Sequence, residues 1–225
     1  MPLRQSKFMQ ILKVNPKKPT KAEIEKIVSV LNTKGLVVFP TQTVYAFGVD
    51  ATSEEAIKKV YKIKGRESKK PMHVIVSDLE MAGRYVKINK VAKKLANKFL
   101  PGPLTLVLNK NNAMLPEILT SGLSTLGIWI PNSPLCLAVS KAFGKPYTTT
   151  SANRSDGPNS YSIKDVLEQL TPSKRKMISL VIDGGKLVNL QPTTLVDLTT
   201  NPPKILREGP ITKSQLEEVL GTVGR

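Results

Sequence analysis

"IKGRESKKPMHVIV", residues 63–76, changes its hydrophobic period half-way along. Before it, Ile57, Val60 and Tyr61 recur at helical spacing and run up to Lys64-Gly65-Arg66; after it, "MHVIV" (72–76) is an apolar run of strand length. The stretch is a helix-to-strand junction, and it holds two cations, Lys64 and Arg66, on either side of a glycine at the seam. Thr52 with Glu55 reads as the cap that opens the preceding helix.

The same change of period repeats outward in both directions. Thr20 with Glu23 forms a capping box, Ile24, Ile27, Val28 and Leu31 share one face, and Gly35 stands at the expected C-cap, so a helix over 21–34 leads into the short buried strand "LVVF" (36–39). Downstream, a helix near 90–99 stops at "PGP" (101–103) and is followed by strands "LTLVL" (104–108) and "GIWI" (127–130). A helix "LCLAVSKAF" (135–143), a strand-like "PYTTTS" (146–151), a helix near 161–170, and strands "LVI" (180–182), "TLVDL" (194–198) and "KILRE" (204–208) come next, before a last helix from Ser214. Such alternation predicts α/β layering around one sheet. With no internal repeat and no low-complexity linker, one domain is expected over 20–220, preceded by an arm or edge strand (1–19) and followed by a short tail (221–225).

Composition narrows the function classes. Lys and Arg number 34 against 17 Asp and Glu, a net charge of +17 that favours anionic partners such as nucleotides or RNA. Lysine enrichment also has a compositional origin in some proteomes, and five Phe, five Tyr and one Trp supply few stacking platforms. The single cysteine, Cys136, cannot form an internal disulfide, and no Cys/His cluster has metal-ligand spacing, so a reducing cytoplasm is the expected location and no protein-held metal is expected. No apolar run approaches the ~20 residues of a membrane span.

Several loops carry more polar chemistry than turn-making requires. In "PTQTVYAFG" (40–48), Thr41, Thr43 and Tyr45 alternate, which would aim three hydroxyl groups to one side if the backbone stays extended. "TTTSANRSDGPNS" (148–160) runs from a strand into a loop rich in donors able to cradle phosphate oxygens, yet it matches neither the dinucleotide fingerprint nor the P-loop. "QPTTLVDL" and "KILREG" place Thr193 and Arg207 at strand ends. The only histidine, His73, lies inside an apolar run, and there is no candidate Ser-His-Asp or Cys-His device.

Taken in order, "FPTQTVYAFGVDA", "VYKIKGR", "LPGPLTLVL", "GIWIPNSP", "TTSANRSDG", "PTTLVDL" and "ILREGPI" resemble the threonylcarbamoyl-adenylate synthase family, the YrdC-like domain, over about residues 20–220. The resemblance implies a single-domain α/β fold with a twisted open mixed sheet, flanking helices and a concave basic face, without the extra C-terminal domain of some members. It implies a nucleotidyltransferase that joins ATP, L-threonine and bicarbonate or CO2 into threonylcarbamoyl-AMP and pyrophosphate, with Mg2+ on the ATP. A partner transferase then passes the group to tRNA. Lys64 and Arg66 resemble the family's K-x-R pair, and Ser151 and Asn153 its S-x-N pair. With Thr125 and Arg207 they are expected to bind ATP, Lys64 and Arg66 also neutralising charge as the bond forms. Thr43, Tyr45, Thr193 and Lys70 are the expected threonine contacts.

The chain also departs from the family pattern. Tyr45-Ala46-Phe47-Gly48 replaces Tyr-Gly-Leu-Gly, Lys70 and Ile75 replace the Asn and His of N-P-L-x-V-H, and Trp129 replaces the arginine of R-x-P. His73 lies two residues before Ile75, on the same strand face. These changes sit on the amino-acid side of the site. They define the alternative expectation, a YciO-like paralogue that binds nucleotide or RNA through the basic cleft, or makes a different adenylate.

Overall fold

The computed structural model describes residues 9–65, 70–111, 114–188 and 191–224. The described strands are β1 (Gln10–Lys13), β2 (Val37–Pro40), β3 (Tyr45–Gly48), β4 (His73–Ile75), β5 (Leu104–Asn109), β6 (Thr125–Trp129), β7 (Tyr147–Ser151), β8 (Leu180–Asp183), β9 (Thr194–Asp197) and β10 (Lys204–Arg207). They form one open sheet in the order β1-β8-β2-β3-β7-β4-β6-β5-β9-β10. It is mixed: β1/β8, β2/β8, β4/β6 and β5/β9 are parallel, and the other pairs are antiparallel. The helices are α1 (Lys21–Asn32), α2 (Glu54–Lys64), α3 (Leu79–Gly83), α4 (Lys90–Phe99), α5 (Pro134–Phe143), α6 (Ile163–Glu168), α7 (Pro172–Arg175) and α8 (Lys213–Leu220).

Strand alternation divides the apolar residues between two faces. Phe47, Val74, Leu106, Ile128 and Val196 point into the larger core, where they meet Ile57 and Val60 of α2, Ala92 and Leu95 of α4, and Leu216 of α8. Phe39, Ala46, Ile75, Trp129 and Tyr147 point to the other face, where α1 contributes Ile27 and Leu31 and α5 contributes Leu135, Val139 and Phe143. The pair α1 and α5 covers only part of this second face. The remainder, over β7, β4, β6, β5 and the β9–β10 end, forms the wall of the main cavity.

Local signals place most elements, with three corrections. The capping box Thr20/Glu23 is present, but the left-handed residue after α1 is Lys34 (φ 58°) and not Gly35. Glycine is needed at 35 for a different reason, since a Cβ there would lie 2.5 Å from Val30 Cγ1. The cap of α2 is Ser53, whose side chain accepts from Ala56 N, while Thr52 Oγ1 donates to Asp50 Oδ1 at 2.6 Å. Residues 40–48 are not one extended segment: Pro40 pairs with Tyr45 across a hairpin, and Thr41–Val44 form its loop.

Gly65 ends α2 in the left-handed conformation (φ 67°), its N–H donating to the Tyr61 and Lys62 carbonyls, which stops the helix one residue after Lys64. Gly65→Ala is expected to destabilise the fold by about 1–2 kcal/mol through this backbone conformation alone, read as a lower urea midpoint with unchanged slope.

Candidate functional site

The cavity has a volume of about 310 Å³, within the range of small-molecule sites. Its lining is dominated by hydroxyl groups: Thr41 and Thr43 from the β2–β3 loop, Thr149, Thr150 and Ser151 from β7, Thr105 from β5, and Thr193 just before β9. Lys70 and Arg207 add positive charge, His73 and Trp129 form part of the wall, and no carboxylate occurs among the described lining residues. Such a surface suits an anion with many oxygen acceptors.

Behind the β7 edge of this cavity lies a buried ammonium. Lys64, 3% exposed, donates from Nζ to Ser151 O (2.6 Å), Asn153 Oδ1 (2.8 Å) and Asn153 O (3.2 Å), with the Phe47 ring centroid 5.8 Å away. Ser151 Oγ also donates to Asn153 Oδ1 at 2.8 Å, and Asn153 Nδ2 donates to Gly157 O at 2.7 Å. Three of the expected phosphate-binding residues thus form one network, but of these only Ser151 lines the cavity. Arg66, the fourth, lies outside the described residues.

Arg207 reaches the cavity through a break in strand alternation. Ile205 faces the larger core and pairs with Val196, and simple alternation would send residue 207 the same way; a register shift between them pairs Arg207 with Leu195 instead. Its Nε donates to Thr193 O and its Nη2 to Thr193 Oγ1, both at 3.0 Å, and Thr193 Oγ1 lies 2.7 Å from Thr105 Oγ1. Desolvation of the guanidinium lowers its pKa from the ordinary value, even though the residue as a whole stays exposed.

His73 lies where β4 runs beside Gly127 of β6, and a Cβ at that glycine would come within 2.5 Å of the imidazole Cδ2. The residue keeps some surface in the cavity, but its ring is enclosed; desolvation first, and the Arg207 charge second, pull its pKa from 6.5 to about 4. It is neutral at pH 7 and offers hydrogen bonds without charge. Trp129 is fixed by its Nε1–H, which donates to Gly102 O at 2.7 Å. Lys70 pairs with Asp156 (2.8 Å), an exposed ion pair of small energetic weight.

Besides Lys64 and Asn153, two further expected site residues lie away from the cavity. Tyr45 is fully buried on the opposite side of β3 from Ala46; its hydroxyl donates to Gly185 O (2.7 Å) and accepts from Gly184 N (3.1 Å), and burial pushes its pKa up to about 12. It ties β3 to the turn after β8 and does not line the cavity. Thr125 begins β6, four residues from Trp129 and so about 13 Å along the strand, and is absent from the lining. Thr149, Thr150 and Asn159 line the cavity from within the donor-rich stretch 148–160, although they were not singled out there, and Thr105 is a lining residue that sequence reasoning passed over. For Thr105 a signal existed, the one hydroxyl in "LTLVL".

Cys136 is buried with its thiol pKa pushed up to about 11, which makes it a packing residue. Among the described residues no group of three or more His, Cys, Asp or Glu is placed to hold a metal ion, and no helix is long and apolar enough to cross a membrane.

The sequence profile Sua5/YciO/YrdC, described as "Telomere recombination", matches residues 29–209. A threonylcarbamoyl-AMP synthase from Pyrococcus abyssi is 35% identical over 84% of this chain and 54% of its own length. One from Bacillus subtilis is 34% identical over 89% of this chain and 57% of its own. The chain therefore spans little more than half the length of these relatives. In structure, Pyrococcus abyssi Sua5 complexed with L-threonine superposes with a TM-score of 0.87 at 32% identity, covering 95% of this chain and 62% of that one. Escherichia coli YciO superposes with a TM-score of 0.80 at 26% identity, covering 90% and 97%.

Two outcomes check the geometry. Lys64→Met removes the donor that satisfies three oxygens and is expected to destabilise the fold by about 1–3 kcal/mol, measured by urea denaturation. The folded-state pKa of His73, about 4, lies below its ordinary 6.5, so the unfolded chain takes up the proton first. Its contribution to stability is complete above pH 6.5 and declines as the pH falls towards 4, by up to about 3 kcal/mol. Urea midpoints of wild type and His73→Gln compared across this window should show a decline in wild type that the variant lacks.

Proposed function

The chain belongs to the Sua5/YciO/YrdC family, and on that premise we propose that it makes L-threonylcarbamoyl-AMP and pyrophosphate from ATP, L-threonine and bicarbonate or CO2. The observation that carries the reading is a hydroxyl-lined cavity with Arg207 and Lys70 at its wall and no carboxylate among its described lining residues, backed by the Lys64–Ser151–Asn153 network. The two curated synthases and the threonine-bound Sua5 structure support the substrate assignment.

In this reading the threonine ammonium gives one proton to solvent, and the free amine adds to the carbon of CO2 and releases a second proton to solvent, giving a carbamate. A carbamate oxygen then attacks the α-phosphorus, the bond to the β-phosphate oxygen breaks, and pyrophosphate leaves. The protein's part is alignment and charge stabilisation. Arg207, anchored on Thr193, stabilises charge on the phosphate oxygens, and the hydroxyl groups of Thr41, Thr43, Thr149 and Ser151 orient reactants. Mg2+ would arrive on the nucleotide and neutralise phosphate charge, with the lining hydroxyl groups as oxygen neighbours. Neutral His73 hydrogen-bonds without repelling the ammonium form of the incoming amino acid. With Trp129 and Ile75 uncharged, Lys70 is the cation for the threonine carboxylate. The product, a mixed anhydride, is passed in the cytoplasm to a transferase that modifies tRNA.

Purified protein with ATP, Mg2+, bicarbonate and L-threonine should release pyrophosphate and form an adenylate of threonylcarbamoyl-AMP mass, and should do neither without threonine. Arg207→Ala is expected to lower kcat/KM by about 10²–10³-fold. Lys70→Ala is expected to raise the threonine KM by about tenfold, the loss of about 1.4 kcal/mol. ATP binding without threonine-dependent turnover would overturn the proposal in favour of a nucleotide-binding paralogue.

A further inference from the structure

Helix α4 differs from the other long helices in its charge. It carries Lys90, Lys93, Lys94 and Lys98 on its exposed side, with exposed Lys87 just before its cap, and contains no Asp or Glu. None of these five ammonium groups is hydrogen-bonded or ion-paired to a described residue. On other helices five lysines sit opposite a carboxylate one turn away: Lys21 on Glu25, Lys58 on Glu54, Lys59 on Glu55, Lys164 on Glu168 and Lys213 on Glu217. On α4 four lysines share one exposed side and the helix offers them no carboxylate at all.

The arrangement works against the helix that bears it. Lys90 occupies the first turn, where the helix dipole disfavours a cation, and Lys90/Lys94 and Lys94/Lys98 are like-charge neighbours. Lys90, Lys94 and Lys98 recur every ~6 Å of helix rise, a straight cationic row on a rigid element. Its opposite side is fixed in the larger core by Ala92, Leu95 and Ala96, so α4 lies on the face of the sheet away from the cavity.

We propose that the exposed face of α4 is a docking surface for the sugar–phosphate backbone of a structured RNA, separate from the nucleotide cavity. A linear row of ammonium groups matches a polyphosphate chain, and with no exposed aromatic residue on the helix it reads backbone and not bases. A membrane surface fits less well: α4 exposes no large apolar side chain to insert. The choice of RNA over other polyanions rests on the synthase reading, whose product is destined for tRNA.

The test is fluorescence anisotropy of a labelled tRNA transcript with the full chain across a KCl series, alongside the pyrophosphate assay. Changing Lys90, Lys93, Lys94 and Lys98 together to Gln should weaken binding at least tenfold at low salt and flatten the slope of log K against log salt by about 3. The corresponding change to Arg should retain both, as should Arg207→Ala. Lys94→Gln alone, for which folding is not in question, should flatten the slope by about 1. An unchanged slope in the Gln variants, loss of binding in Arg207→Ala, or a wild-type protein without salt-dependent RNA binding would overturn the inference. So would tighter, lysine-dependent binding to phosphatidylserine vesicles than to RNA. Failure of pyrophosphate release with the RNA result intact would instead remove only the synthase reading.

Discussion

The ammonium of Lys64 cannot be left in the protein interior without oxygen partners, and this constraint organises the β7 side of the site. Removing a cation from water costs several kcal/mol unless acceptors replace its hydration. Here the acceptors are Ser151 O, Asn153 O and Asn153 Oδ1, so the end of α2 and the loop after β7 hold each other in place. Gly65 ends the helix where that reach is possible, and Asn153 passes the restraint to Gly157. The Lys-Ser-Asn constellation is therefore a structural clamp whose cavity-facing member is Ser151.

The location of the cavity follows from unequal coverage of a two-faced sheet. One face is packed by α2, α4 and α8; the other is covered by α1 and α5 only over part of its width. Where helices are missing, outward side chains must tolerate water, and the strands change from Phe39, Ala46 and Ile75 to Thr149, His73, Thr105 and Thr193. The hydroxyl lining thus lets this part of the sheet meet water without a covering helix, and Gly127 leaves space for the one imidazole in the wall.

Much of the fold was legible because its signals are local. The Thr20/Glu23 box, the Lys64-Gly65 helix end and the apolar strand runs each act within a few residues, and they place the principal helices and strands. The Ser53 cap and the hairpin at Thr41–Val44 were missed because neighbouring hydroxyls and an alternating Thr/Tyr pattern admit a second reading that only tertiary pairing rejects. Of the candidate residues, Thr43, Lys70, Ser151, Thr193 and Arg207 line the cavity. Lys64 and Asn153 lie behind it, and Tyr45 and Thr125 do not line it either, since one depends on which face of β3 is solvent-exposed and the other on which end of β6 is open. A motif gives neither.

The register shift in β10 has a consequence for how this surface can vary. Substitutions in an ordinary strand change what a side chain is; they leave its side of the sheet alone. Between Ile205 and Arg207 the extra residue decides the side, so gain or loss of a single codon there would carry a cation from one layer of the protein to the other. Descent with insertion and deletion, not amino-acid replacement, is then the economical route by which such a chain could acquire or discard a charged cavity wall. Alignments that close that gap would misplace the arginine while keeping every neighbouring residue in register.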